Sequence, residues 1–224
     1  ADANTTFGTG GLTDFGTSGA YAIYREQPTV SGTISSETMT YGDATPTFSL
    51  PGSSGLVNGD TVTFAVQSPS KSTSGNFIVG NYVVEQTNLA GLGYATTITD
   101  GQLTVNAKTL ELTFTGDDKT YDGTANASVT ISDNRVQGDV LTITPTATFN
   151  NKNVDTNKPV SITNVVLGGT DVNNYTLAAT EGSTTANITR LSSVTWIGGS
   201  TGNWFDPANW ASTADQSIKG TVPD

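Results

Sequence analysis

The side chains best suited to chemistry in this chain are carboxylates. Asp117, Asp118, Asp122 and Asp133 fall within one short stretch, and Asp139 follows in a Gly-Asp turn. Clustered carboxylates can gather around calcium, which takes several oxygen ligands at close spacing. Two opposed carboxyls can also hydrolyse a glycosidic bond across a bound sugar. Neither task is well served here. No Asp-x-Asp-x-Asp-Gly loop is present, and pairs such as Asp117/Asp118 sit in turns with no evident cleft. A solvated acidic face is the commoner use of such residues, so no catalytic residue and no cofactor is expected, calcium being the one ion left open. The other chemically suggestive group is aromatic. Trp196, Trp204 and Trp210 lie within fifteen residues and could stack against sugar rings. Trp is also a large hydrophobe that plugs the end of a β stack, and packing is its commoner fate.

Composition narrows the options further. The chain has 224 residues and contains neither histidine nor cysteine. That removes Ser-His-Asp and Cys-His catalysis and nearly every zinc or copper site. Nine basic residues against twenty acidic give a net charge of -11. Phosphate neutralisation needs grouped cations, and no Lys/Arg cluster exists, so nucleic acid is not an expected partner. No apolar run approaches the ~18 residues of a membrane span, so membrane insertion is not expected either. Ala1-Asp2-Ala3-Asn4 is no signal peptide; the chain reads as a mature protein or a piece of a longer one. In a cysteine-free chain, a Lys–Asn isopeptide staple through Lys108, Lys119, Lys152 or Lys158 is a further option, but no sequence feature marks one of them as buried.

The elements that would position these residues are strands. Val62, Phe64 and Val66 alternate with Thr61, Thr63 and Ala65; Leu110, Leu112 and Phe114 alternate with Glu111, Thr113 and Thr115. Leu141, Ile143, Ala147 and Phe149 share a parity interrupted by Pro145, which points to an edge or a bend. Gly/Asn/Asp turns separate the runs, and no amphipathic helix of useful length is evident.

A near-repeat organises the whole. Tyr41-Gly42-Asp43 opens one stretch and Tyr121-Asp122-Gly123-Thr124 opens another about 80 residues later. Each stretch ends on a tyrosine-led strand, from Tyr94 and from Tyr175, followed by a Thr-rich one. The expected fold is all-β: two small antiparallel modules in tandem, elongated, each an Ig-like sandwich or a β-grasp-like sheet. The expected boundaries are 1–27 for the tail of a preceding module, 28–108 and 109–190 for two full modules, and 191–224 for a Trp-rich start of a following one. Asp-Gly in the second motif reads as a turn, with Asp capping its own backbone and Gly supplying positive φ. Tyr41, Gly42, Tyr121, Asp122, Gly123 and Tyr175 are therefore expected as structural anchors, with the tyrosine rings buried.

Two sets of motifs carry a resemblance. Thr40-Tyr41-Gly42-Asp43-Ala44-Thr45-Pro46 followed by Gly55-Leu56-Val57-Asn58-Gly59-Asp60 resembles the MBG repeat of the YGX type. Lys119-Thr120-Tyr121-Asp122-Gly123-Thr124, Ala147-Thr148-Phe149-Asn150-Asn151-Lys152-Asn153 and Leu167-Gly168-Gly169-Thr170-Asp171-Val172-Asn173-Asn174-Tyr175 together resemble a YDG repeat. The tail resembles the tryptophan motif that often follows such repeats. Repeats of this kind occur in large Gram-negative surface adhesins, commonly filamentous-haemagglutinin-like and two-partner-secreted. The resemblance implies a secreted, non-catalytic stalk segment at the cell surface, serving attachment or biofilm formation. Its partners would be neighbouring modules and a host or matrix glycan or protein. The competing reading is a carbohydrate-binding unit built on Trp196, Trp204 and Trp210.

Overall fold

A computed structural model describes residues 27–57 and 59–220. The strand expected at 21–24, the Phe-Gly-Thr echo before it and Asn58 lie outside the described residues. The chain divides into two compact units, 1–108 and 109–224. Both are built of strands, with two single 3₁₀ turns and no α-helix among the described residues. The abundance of Thr, Gly and Asn, poor helix formers, accounts for this.

In the first unit, β1 (Thr29–Thr33) and β2 (Glu37–Thr40) form the entering passage. β3 (Phe64–Val66) and β4 (Gly80–Gln86) make the middle, and β5 (Ala95–Thr99) with β6 (Gly101–Asn106) form the leaving passage. A four-stranded sheet runs in the order β2-β6-β4-β3, and β1 pairs separately with β5. β4 is antiparallel to both β3 and β6. The entering and leaving passages, however, lie side by side in parallel, Thr29 opposite Ala95 and Thr40 opposite Asn106. The Ile34 N–H donates to the Thr99 carbonyl where β1 gives way to β2, so the ladder is carried across the bend. Val30, Ile34, Met39, Val84, Leu103 and Val105 fill the core beneath it.

The second unit repeats the device. β7 (Lys108–Leu110), in which the division falls, leads to β8 (Leu112–Gly116), β9 (Lys119–Thr120) and β10 (Val129–Asp133). β11 (Thr142–Phe149) and the long β12 (Asp155–Gly168) form the central hairpin, followed by β13 (Tyr175–Leu177) and β14 (Gly182–Thr189). The main sheet has the order β11-β12-β14-β9, while β10 pairs with β8 and β13 with β7. β11 is an edge strand, and its register with β12 shifts between Thr144 and Thr146, at the proline that cannot donate to the ladder. β9 runs parallel to β14, Lys119 opposite Ile188. Phe149, Val160, Ile162, Ala186 and Ile188 form the core with Tyr121, and Leu112, Phe114 and Val129 pack against it.

The all-β expectation of mostly antiparallel modules holds, and the parallel pairs are what it did not specify. Most pairings are antiparallel, but β1–β5, β2–β6 and β9–β14 are parallel. In each unit these strands of the entering and leaving passages run the same way, so they can meet only in parallel, the chain between them serving as the long connection that such a pair requires.

A glycine marks each close approach between entering and leaving passages. A Cβ on Gly101 would lie 2.4 Å from the Ser35 carbonyl oxygen, and one on Gly116 would lie 2.5 Å from that of Thr185. Both neighbours are backbone and cannot swing away. Gly116→Ala is therefore expected to destabilise the second unit by about 1–3 kcal/mol, the range for forcing atoms into a packed site. Urea unfolding measures it, and a loss within error of zero would show that the two passages can separate freely.

Candidate functional site

Tyr41, Gly42, Tyr121, Asp122 and Gly123 lie at the ends of these parallel pairs. Tyr41 follows β2 directly, and its N–H donates to the carbonyl of Asn106, the last residue of β6, at 2.8 Å. Tyr121 follows β9, and its N–H donates to the carbonyl of Thr189, the last residue of β14, at 2.9 Å. The two tyrosines thus hold the same post, each ending a strand of the entering passage and locking it to a strand of the leaving one. Both rings are buried, Tyr41 fully and Tyr121 to 3 % exposure.

The turns that follow are made by the neighbouring side chains. Asp43 receives the Thr40 N–H on Oδ2 at 3.2 Å, and Gly42 sits at φ 88°. Asp122 Oδ1 accepts the Thr124 N–H and hydroxyl, both at 2.9 Å, with Gly123 at φ 77° between them. This is an Asx turn with glycine at the left-handed position. Lys119 completes the loop: its ammonium reaches Asp122 Oδ1 at 2.8 Å and the carbonyls of Asn126 at 2.7 Å and Thr124 at 3.0 Å. Burial pushes the Asp122 carboxyl up, but the hydrogen bonds from Lys119 and Thr124 and the lysine charge outweigh it and hold the group below the usual carboxylate value.

A second pair of tyrosines grips a second pair of turns. The Tyr94 hydroxyl donates to Asp60 Oδ2 at 2.7 Å and accepts the Val57 N–H at 3.0 Å. The Tyr175 hydroxyl donates to Asp139 Oδ2 at 2.5 Å and accepts the Val136 N–H at 2.8 Å. Each Asp also closes its own turn, Asp60 N–H to the Val57 carbonyl and Asp139 N–H to that of Val136. The gripped segments read Val57-Asn58-Gly59-Asp60 and Val136-Gln137-Gly138-Asp139, with Gly59 at φ 77° and Gly138 at φ 96°. This Val-x-Gly-Asp echo went unused in the sequence reading. Its signal was there: the two copies stand about 80 residues apart, close to the spacing of the motif tyrosines. Asp139, considered above for catalysis, is buried as the receptor of a tyrosine hydroxyl.

The remaining carboxylates are dispersed. Asp117 accepts the Thr130 hydroxyl, Asp118 holds the Asn187 backbone and side-chain amides, and Asp133 binds Arg135 through both oxygens. Among the described residues no group of three or more acidic side chains converges as metal ligands would. Of the lysines considered for a staple, Lys158 is buried and its ammonium donates to Asn151 Oδ1 at 2.8 Å.

The Trp-rich segment forms a small hairpin. β15 (Val194–Trp196) pairs with β16 (Trp210–Ser212), placing Trp196 opposite Trp210. The Trp196 ring lies 5.9 Å from Trp204 at 16° and 5.1 Å from Trp210 at 73°, and Trp204 meets Trp210 edge-on at 4.4 Å. Gly198 and Gly202 flank the Trp196 ring so closely that a Cβ would come within 2.6 Å and 2.8 Å of it. The indole N–H groups are used internally, Trp196 on the Gly199 carbonyl and Trp210 on that of Trp204. Packing is the expected fate of these rings, with at least two of the three mainly covered. Trp210 is 4 % exposed and Trp196 is intermediate, while Trp204 is 53 % exposed beside Phe205 at 79 %. The hairpin is too small to cover three indoles with its own chain.

The hairpin does not stand apart from what precedes it. Ile218 packs against the second unit's core, and the Tyr121 hydroxyl donates to the Lys219 carbonyl at 3.0 Å. Sequence placed residues 191–224 at the start of a following module; here the described part of that segment lies within the second unit.

Residues 30–104 match the family model of the MBG domain (YGX type), and residues 106–182 match that of the YDG domain. The chain carries an MBG and a YDG domain in tandem. Among curated proteins it has no match. The signature tyrosines of both domains are therefore the residues that tie an entering strand to a leaving one, and the YDG aspartate and glycine make the turn beyond that tie.

Two outcomes are expected from the tyrosine and carboxylate geometry. Tyr175→Phe takes a donor from buried Asp139 and an acceptor from the Val136 amide, and should cost about 3 kcal/mol. Tyr41→Phe loses one 3.3 Å contact with the Ser74 hydroxyl and should cost about 1 kcal/mol or less. Equilibrium unfolding of the two variants checks the order. In acid, the hydrogen bonds of Arg135 to Asp133 and of Asn187 to Asp118 hold those carboxyls below their usual value. A depressed folded pKa contributes stability that is complete above the unfolded value of about 3.9 and is lost as pH falls through the lower folded value. The YDG domain should thus keep this contribution down to about pH 4 and lose it below, and Asp133→Asn should shrink that acid loss in a pH series of melts.

Proposed function

We propose that this chain is a non-catalytic spacer segment of an extracellular bacterial surface adhesin, holding a binding region away from the cell for attachment or biofilm formation. One observation carries the reading: the residues that define both domains are consumed by their own scaffolds. Tyr41, Tyr121, Tyr94 and Tyr175 spend backbone or hydroxyl groups on closing the modules, and Asp122 and Asp139 spend their carboxylates on turns. An enzyme or lectin would be expected to leave some of its most distinctive polar groups facing a ligand. Tandem repeat-type domains with no cysteine suit a long secreted chain that folds module by module. Its partners on this reading are neighbouring modules of the same chain.

The alternative is a carbohydrate-binding unit on the Trp hairpin, favoured by the exposed Trp204 and Phe205. Sugar stacking needs an open ring face. A glycan array with the whole chain and with Trp204→Ala separates the two. The spacer reading expects no strong binder with either protein. Strong binding that disappears in the variant would transfer the function to the hairpin.

A further inference from the structure

The two signature tyrosines hold the same post, yet their hydroxyls are covered differently. In the MBG domain, Tyr41 is covered from within. Its hydroxyl meets Ser74 in the segment 70–78, a knitted loop in which Ser72 and Asn76 also bond Ser74 and Lys71 lies over the Phe77 ring at 3.3 Å. In the YDG domain the partner comes from beyond the stretch that matches the family. The Tyr121 hydroxyl donates to the carbonyl of Lys219, with a longer 3.4 Å contact to that of Gly220.

Residues 218–220 are shaped for that position. Ile218 enters the core that contains Tyr121, Phe149 and Ile188. Gly220 adopts φ 104°, and a Cβ there would lie 2.9 Å from the Tyr121 hydroxyl oxygen. On its other side the segment is bound to the Trp hairpin: Ser212 N–H donates to the Ile218 carbonyl at 2.9 Å, Gly220 N–H reaches the Trp210 carbonyl at 3.4 Å, and Lys219 bridges Ala211. One short extended piece thus joins the YDG core to the tryptophan cluster.

We propose that the YDG tyrosine is a docking receptor for the chain that follows its domain. The ligand it takes is an extended segment that offers a backbone carbonyl to the hydroxyl, an aliphatic side chain to the core and glycine at the point of closest approach. On this account residues 109–220 unfold as one cooperative body, larger than the stretch matched by the YDG family. The MBG domain needs no such partner because its 70–78 loop does the same work. The clasp gives a repeat array a way to pass rigidity from one segment to the next; that last step rests on the spacer reading, whereas the clasp itself does not.

The test uses a property of the sequence. All three tryptophans lie in the hairpin, so indole emission in the full chain reports that segment alone, while far-ultraviolet circular dichroism reports the strands. In the unaltered protein, the Trp melt is expected to coincide with the unfolding of the YDG strands. Tyr121→Phe removes one oxygen and leaves the ring. It should lower the Trp melting temperature by several degrees and speed hydrogen exchange at the Ser212 and Gly220 amides several-fold, the factor of one hydrogen bond. Gly220→Val should do more, because its side chain has no room. Tyr41→Phe should leave the Trp signal and those two amides unchanged. The proposal is overturned if the hairpin melts well below the strands in the unaltered chain, or if both Tyr121→Phe and Gly220→Val leave the Trp melt and the exchange rates where they were. A positive glycan array would remove the spacer reading without touching this result.

Discussion

The fold rests on a parallel contact between the strand that enters each module and the strand that leaves it. A module of about 80 residues buries a modest core, too little to tolerate a loose end. This chain has no disulfide with which to staple its ends. It closes them with backbone ladders instead, and the last rung in both modules is the N–H of the signature tyrosine. Thr40–Asn106 and Thr120–Thr189 are the final strand pairs, and Tyr41 and Tyr121 add one bond beyond each. The buried ring then pins that rung from below. Position is what the tyrosine supplies, which is why the turns beside it can differ, Gly-Asp in one module and Asp-Gly in the other.

The second constraint is the tyrosine hydroxyl on the Val-x-Gly-Asp turn. Here one oxygen serves an amide and a carboxylate together, so the turn is held at both its ends. Burial raises the stakes of this arrangement: an amide or carboxylate left unsatisfied away from water costs more than the bond gains. Asp139 therefore resembles a catalytic acid in its burial and in its hydroxyl partner, while its geometry ties it to a turn. Perturbed or buried carboxylates mark function only when they face a space a substrate can enter.

Much of this was legible in the sequence, and what was missed has a common cause. Period-two alternation found β8 and the core face of β11, and Pro145 marked the register shift, because those signals are local. The Asx turn at Asp122 was legible for the same reason. Parallel pairing was not, since nothing near Glu37 announces that its partner is Leu103. The Val-x-Gly-Asp turns were visible as strings but carried no weight until Tyr94 and Tyr175 were seen above them. Lys158 reads as a surface lysine by type, but it shares the parity of buried Val160 and Ile162, and that alternation turns it inward to Asn151. Composition likewise could not say which tryptophan would be covered, because that depends on how little chain the hairpin has to cover them with.

The comparison between modules carries the argument furthest. Two modules built on one frame, with tyrosines at equivalent posts, differ where one has a long hairpin loop and the other a short one. The sequence stretch Ser68-Pro69-Ser70-Lys71-Ser72 looks like idle surface in the MBG domain until Ser74 is found under the Tyr41 hydroxyl. In the YDG domain the loop of the corresponding hairpin, between β11 and β12, spans only 150–154 and the Tyr121 hydroxyl bonds Lys219 instead; a buried hydroxyl without a partner is a standing cost. Something must cover it, and the next piece of chain is the nearest source. A domain that is incomplete in this way constrains its neighbour: whatever follows has to bring a carbonyl, an aliphatic side chain and a glycine to the right place. On the spacer reading such incompleteness serves a repeat array, because it makes the domain and the piece of chain that follows it one cooperative body.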